Sequence, residues 1–216
     1  MILGIIPARG GSKGIPRKNI KLIAGKPLIA WTIEHAINSN LLDDFIVSTE
    51  DPDITEVAEY YGATVLPRPK ELATDTSLII DTLKYILEHY PADVFVLLQP
   101  TSPIRSPDLI DRCIEEYKKR NVDVVVTGFD CHYKPYETYV GRRQDLDTFF
   151  YNDGNVYVIN TKLIKKGRIN SVNYYPVYTS KEENVEIDDE FDFWLAEQIL
   201  LKRRDKYGKY SWQRDI

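Results

Sequence analysis

Six cations, Arg9, Lys13, Arg17, Lys18, Lys21 and Lys26, precede the first acidic residue of the chain, Glu34. Gly10, Gly11 and Gly14 lie among them. Glycine carries no Cβ, so the backbone can bend and approach a ligand closely. Successive backbone N–H groups in such a turn form an anion-binding concavity. The stretch therefore reads as a phosphate cradle. It is neither of the two best-known phosphate loops. GxxxxGK[ST] fails because Gly10 is followed four residues later by Gly14 and then by Ile15. GxGxxG fails because Gly10 and Gly11 are adjacent and no third glycine fits.

A cationic cradle needs a counterpart, and the acidic run Glu186, Asp188, Asp189, Glu190, Asp192 supplies one. Alternation across Ile187 places Glu186 and Asp188 on one face of an extended segment. Two such carboxylates suit Mg²⁺, a hard cation held by one or two carboxylates together with substrate phosphates and water. Asp189 and Glu190 read instead as residues that cap the following helix and complement its dipole. A cradle with a metal implies a nucleoside triphosphate. Without a P-loop, nucleotidyl transfer fits better than hydrolysis: an acceptor oxygen attacks the α-phosphate and pyrophosphate leaves. Positioning and charge neutralisation carry such a reaction. No histidine base is required, and His35 and His89 read as structural.

The elements that must position these groups can be read in chain order. Residues 2–7 form a short apolar strand that runs into the cradle. A helix over Pro27–Asn38, a strand over Phe45–Thr49, a helix over Ile54–Tyr61 and a strand over Ala63–Leu66 follow. This is β-α-β-α-β, the signature of a parallel sheet with helical crossovers. Pro67–Thr76 is a loop. A helix over Ser77–His89, capped from Asp75–Ser77, leads to Val94–Leu98, the most hydrophobic strand and the expected central one. Helix Pro107–Lys119, strand Asp123–Thr127, strands Gly154–Ile159 and Tyr174–Tyr178, and helix Glu190–Lys202 complete the pattern. The tail beyond Arg203 reads as frayed. The cradle, Ser48–Thr49, the Arg68 loop and the Gln99 turn all fall at strand ends, where open α/β sheets bind ligands.

The expected fold class is α/β: a three-layer, mostly parallel nucleotide-binding sheet. Residues 1–216 form a single domain. Residues 129–152 break the periodicity with Cys131, His132, Tyr133, Tyr136, Tyr139 and paired Phe149 and Phe150. They read as a small protruding excursion, and their aromatic content points to a subunit contact and a homodimer.

Composition sets outer limits. The 216 residues are 28% charged and 43% apolar, with a net charge of -5, so a general nucleic-acid partner is not expected. No apolar run is long enough for a membrane span, and no leader is expected at the N-terminus. Cys113 and Cys131 lack metal spacing and read as reduced thiols in a cytoplasmic protein.

The motifs IPARGGSKGIPRKN, VSTED, RPKELATDTS, LLQPTSPIR, DGNVYVI and EIDDEFDFWLAE together resemble the sialic acid cytidylyltransferases, the CMP-acylneuraminate synthetases. The resemblance runs from residue 2 to about residue 200. It implies a Mg²⁺-dependent reaction of CTP with an acidic nine-carbon 2-keto sugar (a nonulosonate), giving the CMP-sugar and pyrophosphate. The anomeric 2-hydroxyl would be the nucleophile. By motif, Ala8, Arg9, Gly10, Gly11, Ser12, Lys13, Lys18 and Asn19 would hold the triphosphate and ribose. Arg68 and Ser77 would line the base side. Gln99, Thr101, Ser102, Arg105, Lys134 and Asp153 would face the acceptor, and Asp188 with Glu186 would bind Mg²⁺. Arg9, Lys18 and Asp188 would be the catalytic set. Glu186 stands where the family usually has aspartate, and Glu137 where a sugar-binding lysine is usual. Alternatives are another nucleotide such as GTP, an eight-carbon keto acid acceptor, or a non-catalytic protein that binds nucleotide sugars.

Overall fold

The computed structural model describes residues 1–133, 142 and 147–207, with side chains through residue 203. The strands are β1 (Ile2–Pro7), β2 (Leu22–Ile23), β3 (Lys26–Pro27), β4 (Asp44–Thr49), β5 (Thr64–Pro67), β6 (Val94–Leu97), β7 (Val124–Cys131), β8 (Phe149–Asn160) and β9 (Tyr174–Tyr178). The helices are α1 (Leu28–Ile37), α2 (Pro52–Tyr60), α3 (Ile79–His89), α4 (Leu109–Lys119), α5 (Thr161–Lys165) and α6 (Glu190–Tyr207). Short 3₁₀ turns occupy Lys18–Ile20 and Lys70–Leu72. Among the described residues, no helix is long and apolar enough to cross a membrane.

Seven strands form one sheet in the order β5-β4-β1-β6-β8-β7-β9. β1 pairs in parallel with β4 and β6, β4 with β5, and β7 with β9. β8 alone runs antiparallel, between β6 and β7. The chain winds from β1 to one side through β4 and β5, then returns to the other side through β6. The crevice outside β1 and β6 is thus the switch point where such sheets bind ligands.

Alternation along the buried strands makes the three layers. Ile6, Val47, Val96 and Val125 face α1, α2 and α4. Their neighbours Ile5, Ile46, Phe95 and Val126 face α3 and α5. Side chains on successive strand residues point to opposite faces, so each strand supplies both cores. β6 lies between β1 and β8 and is buried along its length, as its hydrophobicity predicts.

Three readings of the sequence change here. α3 begins at Ile79, and Leu78 at its N-cap offers no side-chain bond. Ser77 instead closes the preceding loop, accepting from the Thr74 N–H at 3.0 Å and donating to the Glu71 carbonyl at 2.8 Å. α6 continues past Lys202 to Tyr207. Both ends of the 129–152 stretch are strand: Gly128, Phe129, Asp130 and Cys131 pair with Asn152, Tyr151, Phe150 and Phe149. Lys134, Tyr136, Glu137 and Tyr139, placed in that excursion from the sequence, lie outside the described residues.

Candidate active site

The cradle leaves β1 at Ala8, whose N–H donates to the Ser48 carbonyl at 3.0 Å, and reaches the 3₁₀ turn at Lys18. Its inner wall is fixed by an apolar cluster. Ile15, Ile23, Leu28 and Ile104 pack with Ile187 and with Phe193, Ala196 and Leu200 of α6. Ile15 and Ile187 are both fully buried. Burial of these two isoleucines draws the residues beside them together: Gly14 and Lys18 from the cradle, Glu186 and Asp188 from the acidic segment.

Contact between the two segments is close. A Cβ on Gly14 would stand 2.1 Å from the Asp188 carbonyl oxygen, so only glycine fits there. Lys18, 9% exposed, donates to the Ile187 carbonyl at 2.6 Å, and the Ile187 N–H donates to the Thr101 carbonyl at 2.8 Å. The acidic segment is therefore tied to the cradle on one side and to the turn after β6 on the other. Burial pushes the Lys18 ammonium below its ordinary pKa, and the charges of Asp188 and Glu186 oppose that shift. Burial, and then the neighbouring Asp188, push the Glu186 carboxyl up. Lys18 and Glu186 thus sense the charges around them across one small space.

Asp189 caps the helix as expected, but its partner in the cap is Asp192 and not Glu190. Asp189 accepts from the N–H groups of Phe191 at 2.8 Å and Asp192 at 3.0 Å. Asp192 reaches back to the N–H groups of Asp188 at 3.0 Å and Asp189 at 3.2 Å. This reciprocal arrangement satisfies the first turn of α6. Glu190 pairs with Lys21 at 2.8 Å.

The outer wall is ionic. Asp75 bridges Arg9 at 3.0 Å and Lys13 at 3.1 Å. Arg9 also donates to the Thr74 carbonyl at 3.0 Å, and Asn19 donates to the Arg9 carbonyl at 2.9 Å. Arg17 takes a left-handed backbone, φ 56°, and pairs with Asp51 and Asp53 at the start of α2. Ser12 is half-buried at the lip, and Ala8 is buried at the root. Gly11 has open space around it, whereas Gly10 lies against Asp51. Arg68, 8% exposed, is bound to Glu50 through Nε and an Nη at 3.2 Å each.

The turn after β6 forms the second side of the crevice. Gln99 donates to the Gly154 carbonyl at 3.3 Å, and the Glu186 carboxylate lies beside the same glycine. The hydroxyls of Thr101 and Ser102 are buried without a protein partner. Arg105 and Asp153 stand elsewhere than the acceptor wall expected from the motifs. Arg105 is 3% exposed and donates to Thr32 Oγ1 at 2.9 Å and to the carbonyls of Gln99 at 2.9 Å and Asn155 at 3.0 Å. Burial pushes its guanidinium down to about 9. Asp153, also 3% exposed, accepts from Thr127 and Thr179 at 2.6 Å each and fastens β7, β8 and the end of β9. Asp153 joins the strands, whereas Arg105 holds the turn itself through the Gln99 carbonyl. Glu183, not singled out from the sequence, does likewise: it is buried and accepts from the Ser106 N–H at 2.7 Å and the Ser180 N–H at 2.8 Å. Burial raises its pKa, but these bonds outweigh burial and hold it below the usual value.

Among the described residues, no group of three or more His, Cys, Asp and Glu side chains is placed to hold a metal. Glu186 and Asp188 offer hard oxygen donors in mutual repulsion. That set fits Mg²⁺, which relies on substrate phosphates and water for its remaining ligands.

A family model described as cytidylyltransferase matches residues 3–208. The CMP-N,N'-diacetyllegionaminic acid synthase of Legionella pneumophila is 34% identical over 226 residues, covering 92% of this chain and 96% of that protein. N-acylneuraminate cytidylyltransferase A of Danio rerio is 34% identical over 93% of this chain and 51% of its own length. The chain thus spans about half the length of some relatives and nearly all of another. In three dimensions it resembles a CMP:2-keto-3-deoxy-manno-octonic acid synthetase solved with CTP. The TM-score is 0.76 at 14% identity, over 94% of this chain and 99% of that one. With its sheet, its cradle and its acidic segment in place, this chain belongs to the cytidylyltransferase family.

Proposed function

We propose that the protein transfers the cytidylyl group of CTP to an acidic 2-keto sugar of the nonulosonate type. The observation that carries this reading is the junction of cradle and acidic segment at Lys18 and Ile187, at the switch point of the sheet. It puts cations and carboxylates on one crevice. The activities named for the legionaminic and acylneuraminic relatives support the acceptor class.

In this reading Arg9, Lys13 and Lys18, with the N–H groups of the Gly11–Ser12 turn, bind the phosphates. Asn19 braces Arg9 through its carbonyl. Gln99, with Thr101 and Ser102 behind it, orients the acceptor. The acceptor 2-hydroxyl oxygen forms a bond to the α-phosphorus, the bond from that phosphorus to the bridging oxygen breaks, and pyrophosphate carries away the electron pair. The hydroxyl proton passes to solvent. Lys18, buried between the phosphates and the carboxylates, stabilises charge that grows on the phosphoryl oxygens. Glu186 and Asp188 would hold Mg²⁺, which when bound supplies further neutralisation of the triphosphate. The aromatic 129–152 stretch is the proposed contact between two copies of the chain, and a cytoplasmic setting suits its substrates. Pyrophosphate release from each of four nucleoside triphosphates, with a panel of 2-keto acid sugars, tests the reading.

A further inference from the structure

Glu50 follows β4, the strand that lies between β1 and β5. Adjacent strands are about 5 Å apart, so a side chain at the end of β4 can reach the loops on both sides. Glu50 does so. One carboxylate oxygen accepts from the Gly10 N–H at 2.7 Å, and the other accepts from Arg68 Nε and Nη at 3.2 Å each. The Glu50 side chain is mostly buried, 14% exposed, and the side chain of Arg68 is 5% exposed. The Arg68 N–H also donates to the Thr49 carbonyl at 3.0 Å, which fixes the root of that arginine beside Glu50. Burial lowers the Arg68 pKa, and the charge of Glu50 opposes this. One carboxylate therefore joins the first turn of the phosphate cradle to the guanidinium two strands away.

We infer that Glu50 is a positioning residue for the nucleotide: it sets the separation between the cradle at Gly10 and the guanidinium of Arg68, so that a nucleotide lying across the ends of β1, β4 and β5 meets both at once. This rests on the reading of the crevice as a nucleoside triphosphate site. Phosphate alone touches only the cradle, whereas an intact nucleotide spans the distance that Glu50 sets. The two ligands should respond differently when that distance changes.

Glu50→Asp keeps the charge but is one methylene too short to serve both partners. Glu50→Gln keeps the length but turns an N–H₂ donor toward one of two donors. Calorimetric titration with CTP and with inorganic tripolyphosphate gives the comparison. For Glu50→Asp, CTP should bind about tenfold more weakly, the loss of one hydrogen bond to a charged group. Tripolyphosphate should stay within about threefold of wild type. A general structural defect would move both ligands together; equal shifts, or an unchanged CTP affinity, would overturn the inference. Should the aspartate variant show no cooperative melting transition, Glu50→Gln carries the same comparison. Binding needs no acceptor, so the result stands even if the wild-type protein releases no pyrophosphate, which would sink the functional reading instead.

Discussion

Lys18 donates to the main-chain carbonyl of Ile187 at 2.6 Å, across a sequence separation of 169 residues. The bond joins the loop after the first strand to the segment before the last helix. It places a desolvated ammonium beside Glu186 and Asp188, whose charges support it. Lys18→Met removes both the charge and the donor. The expected kcat/KM for CTP falls roughly 10²- to 10³-fold, the scale of losing a preorganised electrostatic contact. Folding stability should fall by only about 1–3 kcal/mol, the cost of one buried acceptor left unpaired. Steady-state pyrophosphate release and urea unfolding measure the two effects; activity within about threefold of wild type would remove Lys18 from the triphosphate site.

Arg105 should behave in the opposite way, with stability affected first. Arg105→Met leaves Thr32 and the carbonyls of Gln99 and Asn155 without its donors. Unsatisfied buried groups cost about 1–3 kcal/mol each, so a loss of about 3 kcal/mol or more is expected in urea unfolding. Arg105→Lys should recover only part, because one ammonium cannot reproduce the planar fork. The acceptor KM should rise with the loosened Gln99 turn. Wild-type stability in Arg105→Met would contradict this account of the turn.

His35 gives a pH signature. Burial first, then the charges of Arg105 and Lys26, push its pKa down to about 3 from an ordinary 6.5. Between those values the unfolded chain takes up a proton that the folded chain refuses. Stability therefore drops as pH falls below about 6.5, approaching roughly 1.4 kcal/mol per pH unit for this one group. Urea midpoints at pH 7 and pH 5 should show a larger acid loss for wild type than for His35→Gln. Equal losses would show that His35 is not held neutral.

Much of the site was legible because its residues sit next to strong local signals. The cradle glycines follow an apolar strand, and Ile187 separates two carboxylates. The cap at Asp189 follows from its place just before the helix, whereas Asp192, rather than the Glu190 read from the sequence, completes it. What was missed depends on partners distant in sequence. Apolar runs such as Val124–Cys131 and Phe149–Asn160 do not state their direction, so the antiparallel insertion of β8 was not visible. Arg105 and Asp153, placed toward the acceptor by motif, are buried instead against Thr32, Asn155, Thr127 and Thr179, partners that come from other elements. Asp75 looked like a helix cap until Arg9 and Lys13 claimed its carboxylate. Glu50 was legible only as part of a turn, since its role needs the order of β1, β4 and β5.

Pyrophosphate release from CTP, with Mg²⁺, in the presence and absence of nonulosonate sugars and an eight-carbon keto acid, decides whether the crevice carries out cytidylyl transfer. Acceptor-dependent release with CTP is expected, well above that with ATP, GTP or UTP, together with formation of the CMP-sugar in equal amount. Release with no acceptor on the panel, or a preference for another nucleotide, would contradict this function.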